Sequence, residues 1–187
     1  MSEYFVHPTS IIDDDVKIGE DTKIWHFCHI QSGARIGKNC SFGQNVNVSN
    51  NVIVGDGCKV QNNVSLYEGV ELGNYVFCGP SCVFTNDLTP RAKYPKGHAG
   101  YKKTIVEEGA SIGANATIVC GHNIGKWALI GAGAVVTSNV PSHALMLGVP
   151  ARNAGWACEC GELLPEDLIC RKCGRKYEES ESGLEEI

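Results

Sequence analysis

The sequence predicts an all-β protein wound as a parallel coil, and three observations carry that prediction. Counted in sixes, Ile12, Ile18, Ile24, Ile30, Ile36, Phe42, Val48, Val54, Val60, Leu66, Leu72, Cys78 and Phe84 are all apolar, and the count resumes through Val106, Ile112, Ile118, Ile124, Ile130 and Val136. Four places on, the side chain is small or valine, as at Cys28, Ala34, Cys40, Val46, Cys58, Val64, Ala110, Ala116, Ala128 and Ala134, with His122 the exception. The rule breaks once, over residues 85–105. A helix cannot use a period of six, because its apolar stripe would drift around the cylinder. Six residues do fit a short strand and a corner, with the long residue inward and the small one at the crowded bend. Three such units close a triangular coil, coils stack about 4.8 Å apart, and only the stack buries a continuous core. The nineteen units predict roughly six coils.

Composition narrows the function. Hydrophobic content is 43 % and charged content 20 %, ordinary for a globular protein. A net charge of -5 argues against nucleic acid, whose binding runs on clustered Lys and Arg. The N-terminus, MSEYFVHPTSIIDDD, has no basic start followed by an apolar run, and no stretch suits a membrane span. Of ten cysteines, six lie singly through the repeat and four crowd the C-terminus, which is no disulfide framework and fits a reducing cytoplasm. The single cysteines occupy repeat positions that want a small or apolar group and are read as packing residues.

Along the chain, units 18 residues apart fall on one side of the coil. The column after Ile18, Ile36, Val54 and Leu72 mixes charges, as in Gly19-Glu20-Asp21 and Gly37-Lys38-Asn39, and reads as a solvated wall. The column after Ile24, Phe42, Val60 and Cys78 reads Trp25-His26-Phe27, Gly43-Gln44-Asn45, Gln61-Asn62-Asn63 and Gly79-Pro80-Ser81, and continues at Gly113-Ala114 and Gly131-Ala132. It holds amides and aromatics but no formal charge. Such a wall suits a subunit interface or a polar ligand; the alternative is an amide ladder that only stabilises stacked coils.

The interruption places Arg91, Lys93, Lys96, Lys102 and Lys103 on an extruded loop against one acid, Asp87. Five cations on an acidic protein suggest a polyanionic small ligand such as a pyrophosphate; the alternative is a merely solvated loop.

Several segments carry a family resemblance over residues 8–152. The hexapeptide count, with IWHFCHI at 24–30, GQNV at 43–46, QNNVSLY at 61–67, FCGPSCVFTND at 77–87 and PR at 90–91, resembles the hexapeptide-repeat acyltransferases, and among them the nucleotide-sugar N-acetyltransferases. The resemblance implies a left-handed parallel β-helix and a homotrimer with active sites between neighbouring prisms. It implies transfer of acetyl from acetyl-coenzyme A to the 3-amino group of a UDP- or dTDP-linked aminosugar, for surface polysaccharide biosynthesis. Asn86 then lies beside the reacting amine, and His26 is a substrate contact and proton acceptor or a structural residue. Gln44, Asn62, Arg91 and Lys93 are expected to bind substrate. Gly113, Ala114, Gly131 and Ala132 leave room for the pantetheine arm, and Lys126 and Arg152 resemble positions that meet coenzyme A phosphates. Competing readings are a γ-type carbonic anhydrase using His26 and His29, and a non-catalytic trimeric scaffold.

Beyond residue 152 the rule stops. Cys158, Cys160, Cys170 and Cys173 form two close pairs, CEC and CRKC, each followed by glycine, and suggest a small zinc-ribbon-like appendage over 153–187. Iron or metal-free thiols are the alternatives. The final EESESGLEEI reads as a disordered acidic tail.

Overall fold

A computed structural model describes residues 3–187. Most strands are two residues long, the first turned outward and exposed or half-buried and the second turned inward, because each hexapeptide spends its remaining residues turning a corner. Strands 18 residues apart pair in parallel, as Lys23↔Ser41 and Ile24↔Phe42 do. Three sheets result. The first face stacks Phe5–Val6, Lys23–Ile24, Ser41–Phe42, Lys59–Val60, Phe77–Cys78, Ser111–Ile112, Leu129–Ile130 and Ala144–Leu147. The second runs from Ile11–Ile12 to Val135–Val136, and the third from Lys17–Ile18 to Thr104–Val106, extended by bridges from Val106 to Ile124 and on to Val140. Ile24, Ile30, Phe42, Leu66, Phe84, Ile112 and Ile130 are fully buried along the axis.

The first face has eight parallel rungs, so the solenoid is longer than the six coils expected from the count. Phe5–Val6 adds a unit before Ile12, and Val140 and Ala144–Leu147 add two after Val136, where the spacing of six has lapsed but the pairing has not.

A second correction concerns the two walls. The outward triplets are corners rather than flat faces, and the third residue of each takes a left-handed backbone conformation, as at Asp21, Asn39, Asn45, Asn63 and Asn115. Asn and Asp tolerate that region better than other side chains, which explains part of the amide enrichment without a ligand. Crowding explains the leading glycines: a Cβ on Gly113 would lie 2.5 Å from the Ala132 nitrogen of the next coil.

The cysteine expectation holds. Cys28, Cys40 and Cys58 are buried, and their thiols donate to the Gly43, Gly55 and Gly73 carbonyls at 3.0, 3.1 and 3.0 Å. Thr22 does the same to Gly37 at 2.8 Å. Burial raises the Cys28 thiol above its ordinary value, away from the reactive thiolate.

The C-terminal segment differs from expectation in two respects. Arg152–Trp156 pairs antiparallel with Ala144–Leu147, so the solenoid sheet runs past the boundary drawn at 152. The expected disordered tail is a hairpin, Tyr177–Ser180 with Gly183–Glu186, because Tyr177 and Leu184 bury against Cys158 and Cys170. Among the described residues no helix is long and apolar enough to cross a membrane.

Candidate active site

Each coil passes from the first face through a first corner to the second face, then through a second corner to the third face. The uncharged column is the first corner. The extruded loop leaves the second corner after Val83–Phe84 and returns at Thr104–Val106, without disturbing the register on either side. The two features of interest therefore border the same face from opposite edges.

On the first corner, the imidazole of His26 stacks on His7 with ring centroids 3.6 Å apart. Trp25 and Phe27 beside it are exposed. Below, Asn62 accepts from the Gln44 backbone N–H at 2.8 Å and Asn45 donates to Asn63 at 3.1 Å. These two contacts are the ladder that the sequence allowed as an alternative. The Gln44 side chain is exposed on that corner. Gly113, Ala114, Gly131 and Ala132 continue the same corner upward, where the lack of long side chains leaves a bare strip. Leu147 lies over Gly131, and Arg152 pairs with Leu147, which brings Arg152 to the end of that strip. Lys126 stands apart, on the third corner beside Trp127 and His143.

The loop is anchored rather than free. Lys102 donates through its backbone N–H to the Asn86 carbonyl at 2.8 Å, His98 meets Glu68 at 2.6 Å and Lys103 meets Glu71 at 2.8 Å. Lys96 clips Asp87 and reaches the Thr89 hydroxyl at 2.7 Å. Lys96, followed by the Thr89 N–H, holds the Asp87 carboxyl below the ordinary carboxylate value. Of the five loop cations, Arg91, Lys93 and Lys102 make no ion pair among the described residues. The Asn86 side chain sits half-buried at the root of this loop.

Between the corners, the outward strand positions of the second face form a column: the half-buried His29, Asn47 and Ser65 and the exposed Val83. Ser65 and Val83 line a small hollow with Asn63, Tyr67, Cys82 and Phe84. His29 Nε2 meets Asp13 Oδ1 at 3.0 Å. Sequence reasoning passed over this column because it compared the corner triplets and not the single outward residue of each strand. The signal was present, since the same spacing of 18 selects these residues. The carbonic anhydrase alternative gains no support: among the described residues the side chains that converge as a metal-ligand group are the four C-terminal cysteines, while His26 lies at a corner against His7 and His29 meets Asp13 on the face.

The cysteine quartet does converge. The four Sγ atoms lie within 4.8 Å of one another, with Cys158–Cys173 and Cys160–Cys170 each at 3.5 Å. Those separations exceed the roughly 2.05 Å of a disulfide. Gly161 and Gly174, both in left-handed backbone, close two tight turns: Gly161 N–H donates to the Cys158 carbonyl at 2.8 Å and Gly174 N–H to the Cys170 carbonyl at 3.0 Å. The Arg175 backbone N–H and guanidinium draw the Cys173 thiol down to about 6, while burial pushes Cys158 up to about 12.

Residues 5–50 match the family described as bacterial transferase hexapeptide (six repeats), and residues 33–68 and 103–138 match the hexapeptide repeat of succinyl-transferase. A dTDP-3-amino-3,6-dideoxy-α-D-galactopyranose 3-N-acetyltransferase of Aneurinibacillus thermoaerophilus is 40 % identical over 186 residues, 98 % of this chain and 95 % of that protein. The bifunctional protein GlmU of Fervidobacterium nodosum is 32 % identical over 81 % of this chain and 43 % of its own length. A hexapeptide-repeat acetyltransferase of Vibrio cholerae, solved with acetyl coenzyme A, superposes with a TM-score of 0.57 at 26 % identity, over 66 % of this chain and 70 % of that one.

Proposed function

The chain belongs to the bacterial hexapeptide-repeat transferases, and from that premise we propose that it transfers acetyl from acetyl-coenzyme A to the 3-amino group of a nucleotide-linked aminosugar. The observation that carries this reading is the near full-length match to a dTDP-aminosugar 3-N-acetyltransferase. The reaction is direct acyl transfer: the neutral amine attacks the thioester carbon, the carbonyl oxygen gains charge, and the thiolate leaves. Alignment is the largest requirement.

In this reading the nucleotide sugar lies along the second face, with its diphosphate toward Arg91 and Lys93 and its polar edges toward Gln44 and Asn62. Asn86 orients the amine, and His26 contacts substrate and accepts its proton. The pantetheine arm follows the bare strip of Gly113, Ala114, Gly131 and Ala132 toward Arg152, and a backbone N–H of a corner glycine meets the developing oxyanion. Support comes from the shared face: the corner that binds and the loop that carries charge flank it on either side. Lys126 fits less well, because it belongs to another corner. The active particle is a cytoplasmic homotrimer of left-handed prisms, a reading supported by family membership and by the exposed Trp25 and Phe27. The catalytic unit falls within residues 1–152, whose solenoid carries the loop 85–105 and is closed by the strand Arg152–Trp156.

The appendage, residues 153–187, holds a structural Zn²⁺. The donor set fits: four thiols on two glycine turns lie within 4.8 Å of one another, two pairs at 3.5 Å, close to the S···S edges of about 3.8 Å of a tetrahedron with Zn–S bonds near 2.3 Å.

The test of the catalytic reading is Asn86→Ala, assayed by thiol release with UDP- and dTDP-linked 3-aminosugars. Loss of about 100-fold in turnover is expected. Undiminished turnover removes Asn86 from the site, and no thiol release by the unaltered protein with any of these sugars overturns the proposal.

A further inference from the structure

The C-terminal hairpin ends the solenoid in an unusual way. At the third corner, five coils lead with a glycine that lies so close to the next coil that a Cβ would collide with its backbone: Gly19 with Lys38, Gly37 with Asp56, Gly55 with Gly73, Gly73 with Glu108 and Gly125 with Ser142. Ser142 belongs to the last coil, and Gly183 of the hairpin approaches it from the open side. The contact is built like a coil-to-coil step. Ser142 and Gly183 form a parallel bridge, the Ser142 N–H donates to Ser182 O at 2.8 Å, and the Leu184 N–H donates to Ser142 O at 3.2 Å. The hairpin thus occupies the place of one further corner and satisfies backbone groups that would otherwise face water.

This false corner is tied to the cysteine quartet by a short chain of contacts. Tyr177 Oη meets Cys158 Sγ at 3.1 Å and accepts the Glu159 N–H at 3.2 Å. The Tyr177 ring packs at a tilt against His143 of the last coil, centroids 4.8 Å apart. His143 Nδ1 meets the Ala157 carbonyl at 2.9 Å, and the Ala157 N–H donates to the His143 carbonyl at 2.8 Å. Apart from this docking, the appendage's own core among the described residues is Cys158, Cys170, Tyr177 and Leu184, with the half-buried Trp156, Cys160, Leu164 and Leu168 packed against them. Two of the four fully buried residues are thiols of the quartet. A core of that size does not hold a segment of about thirty residues without a metal or a disulfide.

We infer that a metal ion on Cys158, Cys160, Cys170 and Cys173 fastens an end cap, and that the cap protects the last coils of the solenoid from opening. The inference rests on the metal reading given above and extends it: the ion's role is to hold Tyr177 and the hairpin against Ser142 and His143. Solenoids need polar terminal caps, since an open last repeat exposes apolar core and unpaired strand edge. Here the cap is not a repeat but a metal-clenched hairpin.

The experiment uses the full chain. Metal content is measured by elemental analysis of the purified protein and by the thiolate-to-metal absorption of a cobalt-loaded sample. Amide hydrogen exchange is then followed with and without a strong chelator. One ion per chain is expected. Removing it should speed exchange roughly tenfold or more at 140–147 and 177–187, and leave residues 29–66 unchanged. A second variant, Gly183→Val, should speed exchange over 140–147 while the ion stays bound, because it lifts the false corner without touching a thiol. An ion whose removal leaves 140–147 unchanged overturns the cap and leaves the metal reading standing. Absence of any bound metal after purification and cobalt addition overturns both. Neither outcome depends on an acetyl-transfer assay.

Discussion

Thr22 and Thr104 occupy the same place in their hexapeptides, two residues before a buried apolar side chain, and both are fully buried. Their chemistry differs. Thr22 donates to the Gly37 carbonyl at 2.8 Å and accepts the Cys40 N–H at 3.0 Å, so its hydroxyl serves two backbone groups of the next coil. The Thr104 hydroxyl has no partner among the described residues. Removing one hydroxyl orphans two buried groups, whereas removing the other relieves a desolvated one. Thr22→Val should cost about 1–3 kcal/mol, and Thr104→Val should be neutral or stabilise by up to about 1 kcal/mol. Urea unfolding midpoints of the two variants measure the contrast, and equal effects would refute it. The thiols of Cys28, Cys40 and Cys58 play the part of Thr22 more weakly, which is why cysteines recur without any redox role.

At the scale of elements, the loop is pinned at several points and its free cations lie between them. Neutralising Glu68 and Glu71 to Gln together should release His98 and Lys103 and raise KM for the nucleotide sugar several-fold, with the unfolding midpoint little changed. Steady-state kinetics beside a thermal melt separates these outcomes, since the pairs are exposed and stabilise the fold little. The clip between Lys96 and Asp87 also has a definite pH dependence. Its carboxyl titrates below the ordinary 3.8, so the folded loop binds this proton less readily than the unfolded one. The contribution is therefore complete above that value and lost as pH falls through the lowered one. Limited proteolysis within 88–97 should stay constant from pH 7 to about 5, while Asp87→Asn should cut faster throughout. Fast, pH-independent cleavage of the unaltered loop would contradict the clip.

The same scale shows what the sequence disclosed. The strands were readable from Ile12 to Val136 because a large apolar residue every six, followed four places on by a small buried one, is a strong signal. The ends were missed. Val6 keeps the spacing of six and was simply left out of the count, whereas Val136 to Val140 is a step of four, after which Val140 and Met146 still pair as rungs, so there backbone pairing outlasted the side-chain rule. The hairpin after Tyr177 was hidden by its acids: Glu178, Glu179, Glu185 and Glu186 face water, and only Tyr177 and Leu184 turn inward. Of the candidate site, the first-corner column and the loop were legible as columns and as a break. The His29–Asp13 pair joins neighbouring coils across the corner spacing, and no single hexapeptide displays it.

For the whole molecule, the exposed aromatics carry the argument. Trp25 and Phe27 are 41 % and 58 % exposed, on the same corner as the amides and at the N-terminal end of the strip read as the active site. In the trimeric reading they are covered by a neighbour. Trp25→Asp should then yield monomers by sedimentation and abolish acetyl transfer, while the far-ultraviolet spectrum of the coil persists. Active monomers would refute the shared site.

The insertion of residues 85–105 leaves Val83↔Thr117 and Leu72↔Val106 in step on either side of it. Vertices of the triangle therefore absorb extra chain, while the edges do not: one residue gained or lost within an edge would turn core side chains toward solvent all the way to the next vertex. Descent within such a lineage should accordingly show length changes of two kinds only, whole turns added or dropped, and excrescences at the vertices. New specificities would arise by swapping those excrescences, with the shaft beneath them left as it was.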